Sequence, residues 1–334
     1  MKTQSKHLFL LGLLAFVAIV ATGCPHKNEP IPEPTPTPAP VTLSITMKTG
    51  EDIRQLLGNA YLKARSEATS FKASTTPAPK TGVIPVTLSA DGSETECVAW
   101  FDNNSKTIFY YAKGYTDAGK KIPLAVNSKN MFKLCSSLKE IDISGFDASK
   151  ANSYTSMFEG CTALTTISGL DTLNTIRATS FQGMFKGCSN LTTIDVSVIA
   201  TNNTVDNFAS MFEGCTALTT ISGLDTLNTT RATSFQGMFK NCSNLTTIDV
   251  SSFDTSKATI FTDMFYGCTN LTTIYAKAGT DWSSSTTSMA GEGMFLNCTS
   301  LKGGANTVYD SKNANISYAR IDGGTSAPGY FTEE

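Results

Sequence analysis

Apolar residues in the central half of this chain follow two patterns that recur together about every 27 residues. Between residues 181 and 188, apolar side chains lie at i, i+3, i+4 and i+7, the spacing of one face of a helix. Ile194 and Val196 then alternate around Asp195, as they would in a short strand. The pattern predicts a short helix followed by a short strand in each unit.

The predicted helix of each unit carries the phrase Met-Phe-x-x-Cys, which occurs seven times, with successive cysteines 26, 27, 27, 27, 26 and 30 residues apart. A period of this length is typical of solenoids, in which each unit buries its apolar side against its neighbours. The seven cysteines should form one interior column, which we term the Cys ladder: Cys135, Cys161, Cys188, Cys215, Cys242, Cys268 and Cys298.

Glycine or asparagine precedes the cysteine in six units, and Leu134 does so in the first. Gly and Asn readily adopt the left-handed conformation that closes a helix, which predicts a tight exit at this position. Two units have one extra residue in the strand, and there Gly169 and Gly223 predict β-bulges that keep Leu170 and Leu224 pointing inward.

Residues 156–197 and 210–251 are identical at 40 of 42 positions. This indicates a recent duplication of two units. A solenoid tolerates such growth because each unit contacts only its nearest neighbours.

The N-terminal segment predicts export. Residues 1–23 combine a polar start with an apolar run over 8–20 that is too short to span a bilayer, as in a signal peptide. The sequence Ala21-Thr22-Gly23-Cys24 resembles the lipobox of bacterial lipoproteins, which implies cleavage before Cys24 and diacylation of its thiol. The alternative is an ordinary cleavage site with an incidental cysteine. A Pro-rich stalk over 24–40 would hold the folded part on the order of 50 Å from the membrane.

The remaining boundaries follow from the repeats. Residues 41–129 form a predicted N-terminal capping region with a helix within 51–72 and a β-hairpin whose strands flank residues 102–105. The repeats occupy 130–302, and the Gly-rich residues 303–334 form a predicted C-terminal cap. Exposed solenoid ends need such caps.

The frame Leu-x-x-Ile-x-Val resembles a leucine-rich repeat. The phrases Met-Phe-x-x-Cys, Asn-Leu-Thr-Thr-Ile-Asp-Val-Ser and Ser-Phe-Asp-Thr-Ser resemble the BspA-like leucine-rich repeat surface proteins of host-associated bacteria over about residues 130–301. The predicted fold is therefore an α/β, leucine-rich-repeat-like solenoid of about seven repeats, each a short helix plus a short parallel strand, with a β-hairpin N-cap and a Gly-rich C-cap. The resemblance implies adhesion to host extracellular-matrix or cell-surface macromolecules, or to other bacteria. The lipid anchor and stalk predict a protein on the bacterial outer membrane, either exposed at the cell surface or tethered in the periplasm.

The Cys ladder is most simply a column of free, buried thiols. Disulfides between adjacent rungs are sterically allowed but have unfavourable dihedral geometry. A zinc site would need convergent ligands, and no C-x-x-C pair occurs. We therefore expect no metal and no cofactor.

Composition excludes several classes of partner and of catalytic site. A formal net charge of -2, without a basic tract, argues against nucleic acid and against a polybasic membrane contact. The two histidines, His7 and His26, both precede the folded region, which removes Ser-His and Cys-His nucleophile pairs and H-E-x-x-H zinc sites. A non-catalytic protein is expected.

The best candidates for binding are polar residues on the predicted strands, with threonines in one row and aspartates in the next: Thr166, Thr193, Asp195, Thr220, Thr247, Asp249 and Thr273. Alternatively, threonine and aspartate simply suit exposed strands. Two rival functions remain, namely a structural or antigenic coat protein without a specific ligand and a glycan-binding protein. The glycan reading is disfavoured because Trp100 and Trp282 are the only tryptophans. Trp282 would either anchor a partner or plug the cap.

Overall fold

A computed structural model of the chain describes residues 44–173, 175–199, 204–283 and 291–334. The predicted signal peptide, the lipid site Cys24 and the Pro-rich stalk lie outside the described residues. None of the helices in these four segments has the length and hydropathy needed to cross a bilayer.

The described chain has a mixed α/β structure in which short strands predominate and helices are few. The α-helix α1 spans Gly50–Leu57. The strands are β1 (Ser70–Ala73), β2 (Val86–Thr87), β3 (Cys97–Asp102), β4 (Thr107–Ala112), β5 (Ile122–Pro123), β6 (Glu140–Asp142), β7 (Phe146–Asp147), β8 (Thr166–Ser168), β9 (Thr193–Asp195), β10 (Thr220–Ser222), β11 (Thr247–Asp249), β12 (Thr273–Ala276) and β13 (Phe331–Glu333). Single-turn 3-10 helices span Thr116–Ala118, Leu170–Thr172, Thr175–Arg177, Leu224–Thr226, Ser311–Asn313, Ile316–Tyr318 and Gly324–Ser326.

The N-terminal region builds a six-stranded sheet in the order β2-β3-β4-β1-β6-β8. Strands β3 and β4 pair antiparallel, so the predicted hairpin is confirmed. Strand β1 pairs in parallel with β4 on one side and with β6 on the other. The hairpin therefore reaches the first repeat through β1.

The helix predicted within 51–72 is shorter than expected. It ends at Leu57, and the chain forms β1 over residues 70–73. Phe71 in β1 is buried and its ring stacks 5.0 Å from that of Tyr110. Beyond Leu57 the chain forms tight turns instead of a continued helix. The N–H of Asn59 donates to a carbonyl three residues earlier, and the N–H of Ala64 donates to that of Leu57, seven residues earlier. The helical spacing of the apolar residues was therefore misleading.

The strands β6, β8, β9, β10, β11 and β12 come from successive repeat units and are parallel where they pair. Equivalent residues lie opposite each other, so that Ile194 faces Ile221 and Ile248 faces Ile274. The pairs belong to three sheets, because β6–β8 continues the N-terminal sheet, β9–β10 stands alone and β11–β12 is extended by β13.

The segment that carries Met-Phe-x-x-Cys is a series of tight turns, so the helix predicted in each unit is wrong. The N–H groups of Lys186 and Cys188 donate to carbonyl oxygens three residues earlier. The intervening N–H of Gly187 instead donates to the carbonyl of Glu213 in the next unit, with an N–O distance of 2.6 Å. A helix would need every N–H within its own segment. Here alternate donors are used to join neighbouring units.

The prediction of a left-handed residue before each ladder cysteine is confirmed. The backbone φ is positive at every such position, where it closes a turn rather than a helix: Leu134, Gly160, Gly187, Gly214, Asn241, Gly267 and Asn297. Leu134 adopts this conformation although it carries a branched side chain.

Two of the side-chain columns in the interior of the repeats belong to the Met-Phe-x-x-Cys phrase. The phenylalanines of the Met-Phe phrase form one, which we term the Phe stack, with adjacent ring centroids 5.6 to 5.8 Å apart: Phe132, Phe158, Phe185, Phe212, Phe239, Phe265 and Phe295. The Cys ladder forms the other, and all seven of its thiols are buried and free. Such interdigitated apolar burial is the main stabilising term of the repeats.

Gly169 and Gly223 are not β-bulges. Each follows the last strand residue and precedes a 3-10 helix, with φ of 85° and 78° respectively. A Cβ on Gly169 would lie 2.3 Å from the backbone nitrogen of Ser144 in the preceding unit. Glycine is required there by conformation and by close approach. Leu170 and Leu224 are buried as predicted.

The C-terminal residues pack on the last repeat. Strand β13 pairs in parallel with β12 and so continues the repeat sheet. The carboxylate of Asp322, only 7% exposed, accepts hydrogen bonds from the backbone of Ala305, Thr307 and Gly324 and from the hydroxyl of Thr307. These bonds tie residues 305–307 to Asp322, whose own N–H donates to the carbonyl of Phe331 in β13.

Candidate binding face

The outward side of the repeat strands, which we term the strand face, carries the seven residues predicted to bind a ligand. The middle residue of each strand points inward; Ile194 and Ile248, for example, are buried. The flanking residues point outward, and they are exposed except for the half-buried Thr273: Thr166, Thr193, Asp195, Thr220, Thr247, Asp249 and Thr273.

The row of threonines is divided rather than continuous. Thr193 lies opposite Thr220 because β9 pairs with β10. Thr166 lies in a different sheet, since β8 pairs with β6. Among the described residues, no backbone hydrogen bond joins β8 to β9 or β10 to β11. The predicted single face therefore has two seams.

The seams follow from the extra residue in two of the units. In a paired unit, the residue after the strand donates its N–H to the next unit, as Val196 does to the carbonyl of Ser222 at 2.9 Å. The corresponding residue is Gly169 before the first seam and Gly223 before the second. Their left-handed conformation redirects the chain into a 3-10 helix, so this hydrogen bond is not formed.

Each seam opens as a groove on the strand face. The first groove lies between β8 and β9, has a volume of about 520 Å³ and is lined by Thr165, Thr166, Ile167, Gly169, Leu170, Asp171, Leu191, Thr193, Ile194, Asp195 and Val198. The second groove lies between β10 and β11, also with a volume of about 520 Å³, and is lined by Thr219, Thr220, Ile221, Gly223, Leu224, Asp225, Leu245, Thr247, Ile248, Asp249, Ser251, Ser252, Tyr275 and Glu334. All of the predicted binding residues except Thr273 therefore line one groove or the other.

The grooves combine hydroxyl groups, carboxylates and an apolar floor. The hydroxyls of Thr166 and Thr193 make no hydrogen bond within the described part of the chain, so both can donate to and accept from a ligand. Asp195 accepts the N–H of Ser197 at 2.9 Å, and hydrogen bonding from Ser197 lowers the pKa of this carboxyl. It is therefore ionised at neutral pH. Within the described residues, no basic side chain lines either groove.

Sequence reasoning missed two features of this face. Asp171 and Asp225, in the 3-10 helices, contribute the second carboxylate of each groove. Tyr275 lies opposite Asp249, is 38% exposed and separates the second groove from a further depression at Thr332. Its alignment with the aspartate position of the other strands was a signal available in the repeat pattern.

The other predicted residues are interior. Burial raises the pKa of the Cys215 and Cys298 thiols to about 12, so that they are protonated and unreactive at neutral pH. Trp282 is buried, with its ring 5.4 Å from Phe261 and 4.9 Å from Phe331, and plugs the C-terminal end of the repeats.

A protein-family model described as "Mycoplasma protein of unknown function, DUF285" matches the chain twice, over residues 126–222 and 179–309. The two matches together cover more than half of the chain and coincide with the repeats. No curated protein and no solved structure matches the chain.

Proposed function

The chain belongs to the DUF285 family, whose description assigns no activity, and we propose that it is a non-catalytic, lipid-anchored bacterial surface protein that binds macromolecules through the strand face of a solenoid. The observation that carries this proposal is a repeated outward surface of exposed hydroxyls and carboxylates on a tightly packed interior. Repeat proteins commonly present such extended surfaces to large partners.

Three contacts repeated along the chain support a solenoid of about seven repeats. The rings of the Phe stack, the S–H to carbonyl hydrogen bonds of the Cys ladder and the alternate N–H donors of the turns all join one unit to the next. Because these contacts are between neighbours, they form one continuous interior in this proposal. The resemblance to BspA-like leucine-rich repeat proteins is consistent with it, although the turns replace the helix of that frame.

Export and anchoring are supported by the sequence alone. The apolar run over 8–20 and the lipobox-like Ala21-Thr22-Gly23-Cys24 are typical of a bacterial lipoprotein. A diacylated and N-acylated cysteine exceeds the single chain that gives only marginal membrane binding. Outer-membrane surface exposure on the Pro-rich stalk is part of the proposal. Incorporation of radiolabelled palmitate into the parent chain, and its loss in Cys24→Ser, tests the anchor.

A binding array tests the adhesive role. Purified protein is applied to matrix proteins, cell-surface glycans and bacterial cells, and we expect saturable binding to at least one of them. The triple variant Thr193→Ala, Asp195→Ala, Thr220→Ala should weaken it, while replacement of the exposed Thr162 and Thr216 on the turns between the units should not. Protease shaving of intact cells tests surface exposure. An array without any binding would favour the structural or antigenic coat protein, which the duplication of residues 156–197 suits equally well.

A further inference from the structure

We propose that the first and second grooves are two equivalent subsites for a single linear, uncharged polysaccharide that lies across the strands. This inference rests on the proposed function, because it assigns a ligand class to the same strand face. The scarcity of tryptophans disfavoured a glycan ligand, whereas the groups that line the grooves favour one.

Ten of the eleven residues that line the first groove have an identical counterpart in the second, where Ser252 replaces Val198. Thr166, Asp171 and Thr193 in the first correspond to Thr220, Asp225 and Thr247 in the second, each two units further along the chain. One seam and one hydrogen-bonded strand spacing separate equivalent atoms, which places them on the order of 10 Å or more apart along the stack. A polymer that repeats its own chemical groups can therefore make the same contacts twice.

The hydrogen-bonding groups fit a polyol. The carboxylates of Asp171 and Asp195 only accept hydrogen bonds, so their ligand must supply donors. The hydroxyls of Thr166 and Thr193 are without partners among the described residues and serve as either donor or acceptor. Sugar hydroxyls satisfy both requirements.

Charge excludes the acidic polymers. Each groove holds two aspartate carboxylates and, among the residues that the structure describes, no lysine or arginine, and the second adds Glu334. Sulfated, phosphorylated or uronic acid polymers would bring like charges together. A neutral chain meets no such repulsion.

The groove floors suit the apolar faces of sugar rings. Ile167 and Ile194 line the first groove between its polar edges, and Ile221 and Ile248 line the second. At the far side of the second groove, the exposed ring of Tyr275 offers a flat apolar surface for one more sugar. A pattern of few polar groups around an apolar floor is usual for small-molecule sites.

A basic peptide is the other occupant that the carboxylates would attract. The aspartate side chains are solvent-exposed, and ion pairs at such positions contribute little. A peptide of ordinary sequence would also not present the same groups to both grooves. Both arguments favour the glycan.

The test is a calorimetric titration of the full-length protein in detergent with neutral glucan and mannan oligosaccharides of increasing length. Binding to one groove should be weak. Once an oligosaccharide spans both grooves, the second contact becomes intramolecular, and we expect the affinity to rise by ~100-fold. Asp195→Ala and Asp249→Ala should each abolish this rise, and the double variant should not bind.

Asp142→Ala is the matched control. Asp142 holds the same strand position and accepts the N–H of Ser144 at 2.9 Å, just as Asp195 accepts that of Ser197, but it lines neither groove. Its replacement should leave the affinity unchanged. Polylysine and heparin are titrated in parallel.

The outcomes separate the inference from the proposed function. The inference is overturned if affinity is independent of oligosaccharide length, if Asp142→Ala weakens binding as much as Asp195→Ala, or if polylysine or heparin binds through these aspartates instead. In each case a protein partner found on the array would still support adhesion. Absence of binding to every probe and every array component would overturn both.

Discussion

The thiol of Cys188 donates a hydrogen bond to the carbonyl oxygen of Phe158, 30 residues earlier, with an S–O distance of 3.2 Å. The same bond joins the other ladder cysteines after the first to the phenylalanine one unit before them, at 2.9 to 3.2 Å. The carbonyl of Phe158 also accepts the N–H of Cys161 in its own unit. One buried oxygen therefore links a turn to its neighbour.

Replacing Cys188 by alanine should destabilise the protein by about 1–3 kcal/mol, because it leaves a small cavity and removes a buried donor. Cys188→Ser keeps a donor and should cost less. Cys97→Ala is the control, since Cys97 is equally buried but lies outside the ladder. Denaturant midpoints give the comparison, and equal losses for alanine and serine would show that the S–H bond contributes nothing.

The ladder also predicts a loss of stability in alkali. Burial raises the pKa of the Cys215 thiol from 9.0 to about 12, and the pKa values of the other ladder thiols are also raised. Above about pH 9 the unfolded chain therefore releases thiol protons that the folded chain retains. The unfolded state then binds fewer protons, and the free energy of unfolding falls as pH rises. Urea titrations from about pH 8 upward check this, and a variant with two ladder cysteines replaced by alanine should show a shallower decline.

The sequence was informative where side-chain burial repeats. The period, the buried Leu170 and Leu224, the hairpin β3–β4 and the left-handed residue before each cysteine all depend on local composition or on a constant apolar position. The prediction of a helix in each unit was wrong because consecutive three-residue turns and a helix both place apolar side chains on one side with nearly the same spacing. Only the partners of the backbone N–H groups distinguish them, and those partners lie in the next unit.

The candidate site was predicted only in part, because some of its features are local in sequence and others depend on contacts between units. Outward alternation identified Thr193 and Asp195 as exposed strand residues, because strand periodicity is local. The seams depend on whether Gly169 allows a hydrogen bond to the following unit, which is a relationship between units. The sequence predicted an irregular backbone at this glycine, as a β-bulge, but did not predict that the sheet ends there.

Gly169→Ala should be among the most damaging single changes in the repeats. Its positive φ alone costs about 1 kcal/mol with a side chain, and the contact of a Cβ with Ser144 adds to that. Gly92→Ala is the matched control, because its φ is 81° but nothing lies within 4 Å of the position that an alanine methyl group would occupy. Thermal melting should show a clearly larger loss for Gly169→Ala, and similar losses would mean that the backbone conformation alone matters.

Asp322 should make the C-terminal region sensitive to acid. Burial opposes its ionisation, but the hydrogen bonds from Thr307, Gly324 and Ala305 outweigh it and lower the pKa of the carboxyl. Its contribution is therefore present above the unfolded pKa of about 4 and is lost as pH falls through the lower folded value. Asp322→Asn should destabilise the C-terminal residues by about 1–3 kcal/mol at neutral pH and remove this acid-dependent loss. Hydrogen exchange of the Thr332 amide measures this loss of local stability. The control is Asp310→Asn, because Asp310 is exposed.

The residue after each stacked phenylalanine alternates in charge along the first five units, which predicts that removing two units is tolerated better than removing one. Lys133 contacts Glu159 at 2.8 Å, and Lys186 contacts Glu213 at 2.9 Å. Lys240 continues the series, with Asp263 at 2.7 Å. Neighbouring units thus attract each other along this edge.

Deleting residues 184–237 removes two units and brings Lys240 next to Glu159, which preserves the alternation. Deleting residues 184–210 removes one unit and brings Glu213 next to Glu159. Exposed pairs contribute about 0.2–1 kcal/mol each, so the single deletion should melt lower than the double deletion even though it retains more units. Restoring the charge in the single deletion with Glu213→Lys should recover part of the difference at low salt, and the recovery should shrink as salt screens it. If the single deletion melts as high as the double one, or if Glu213→Lys has no effect at any salt concentration, the charge alternation does not set the unit of growth.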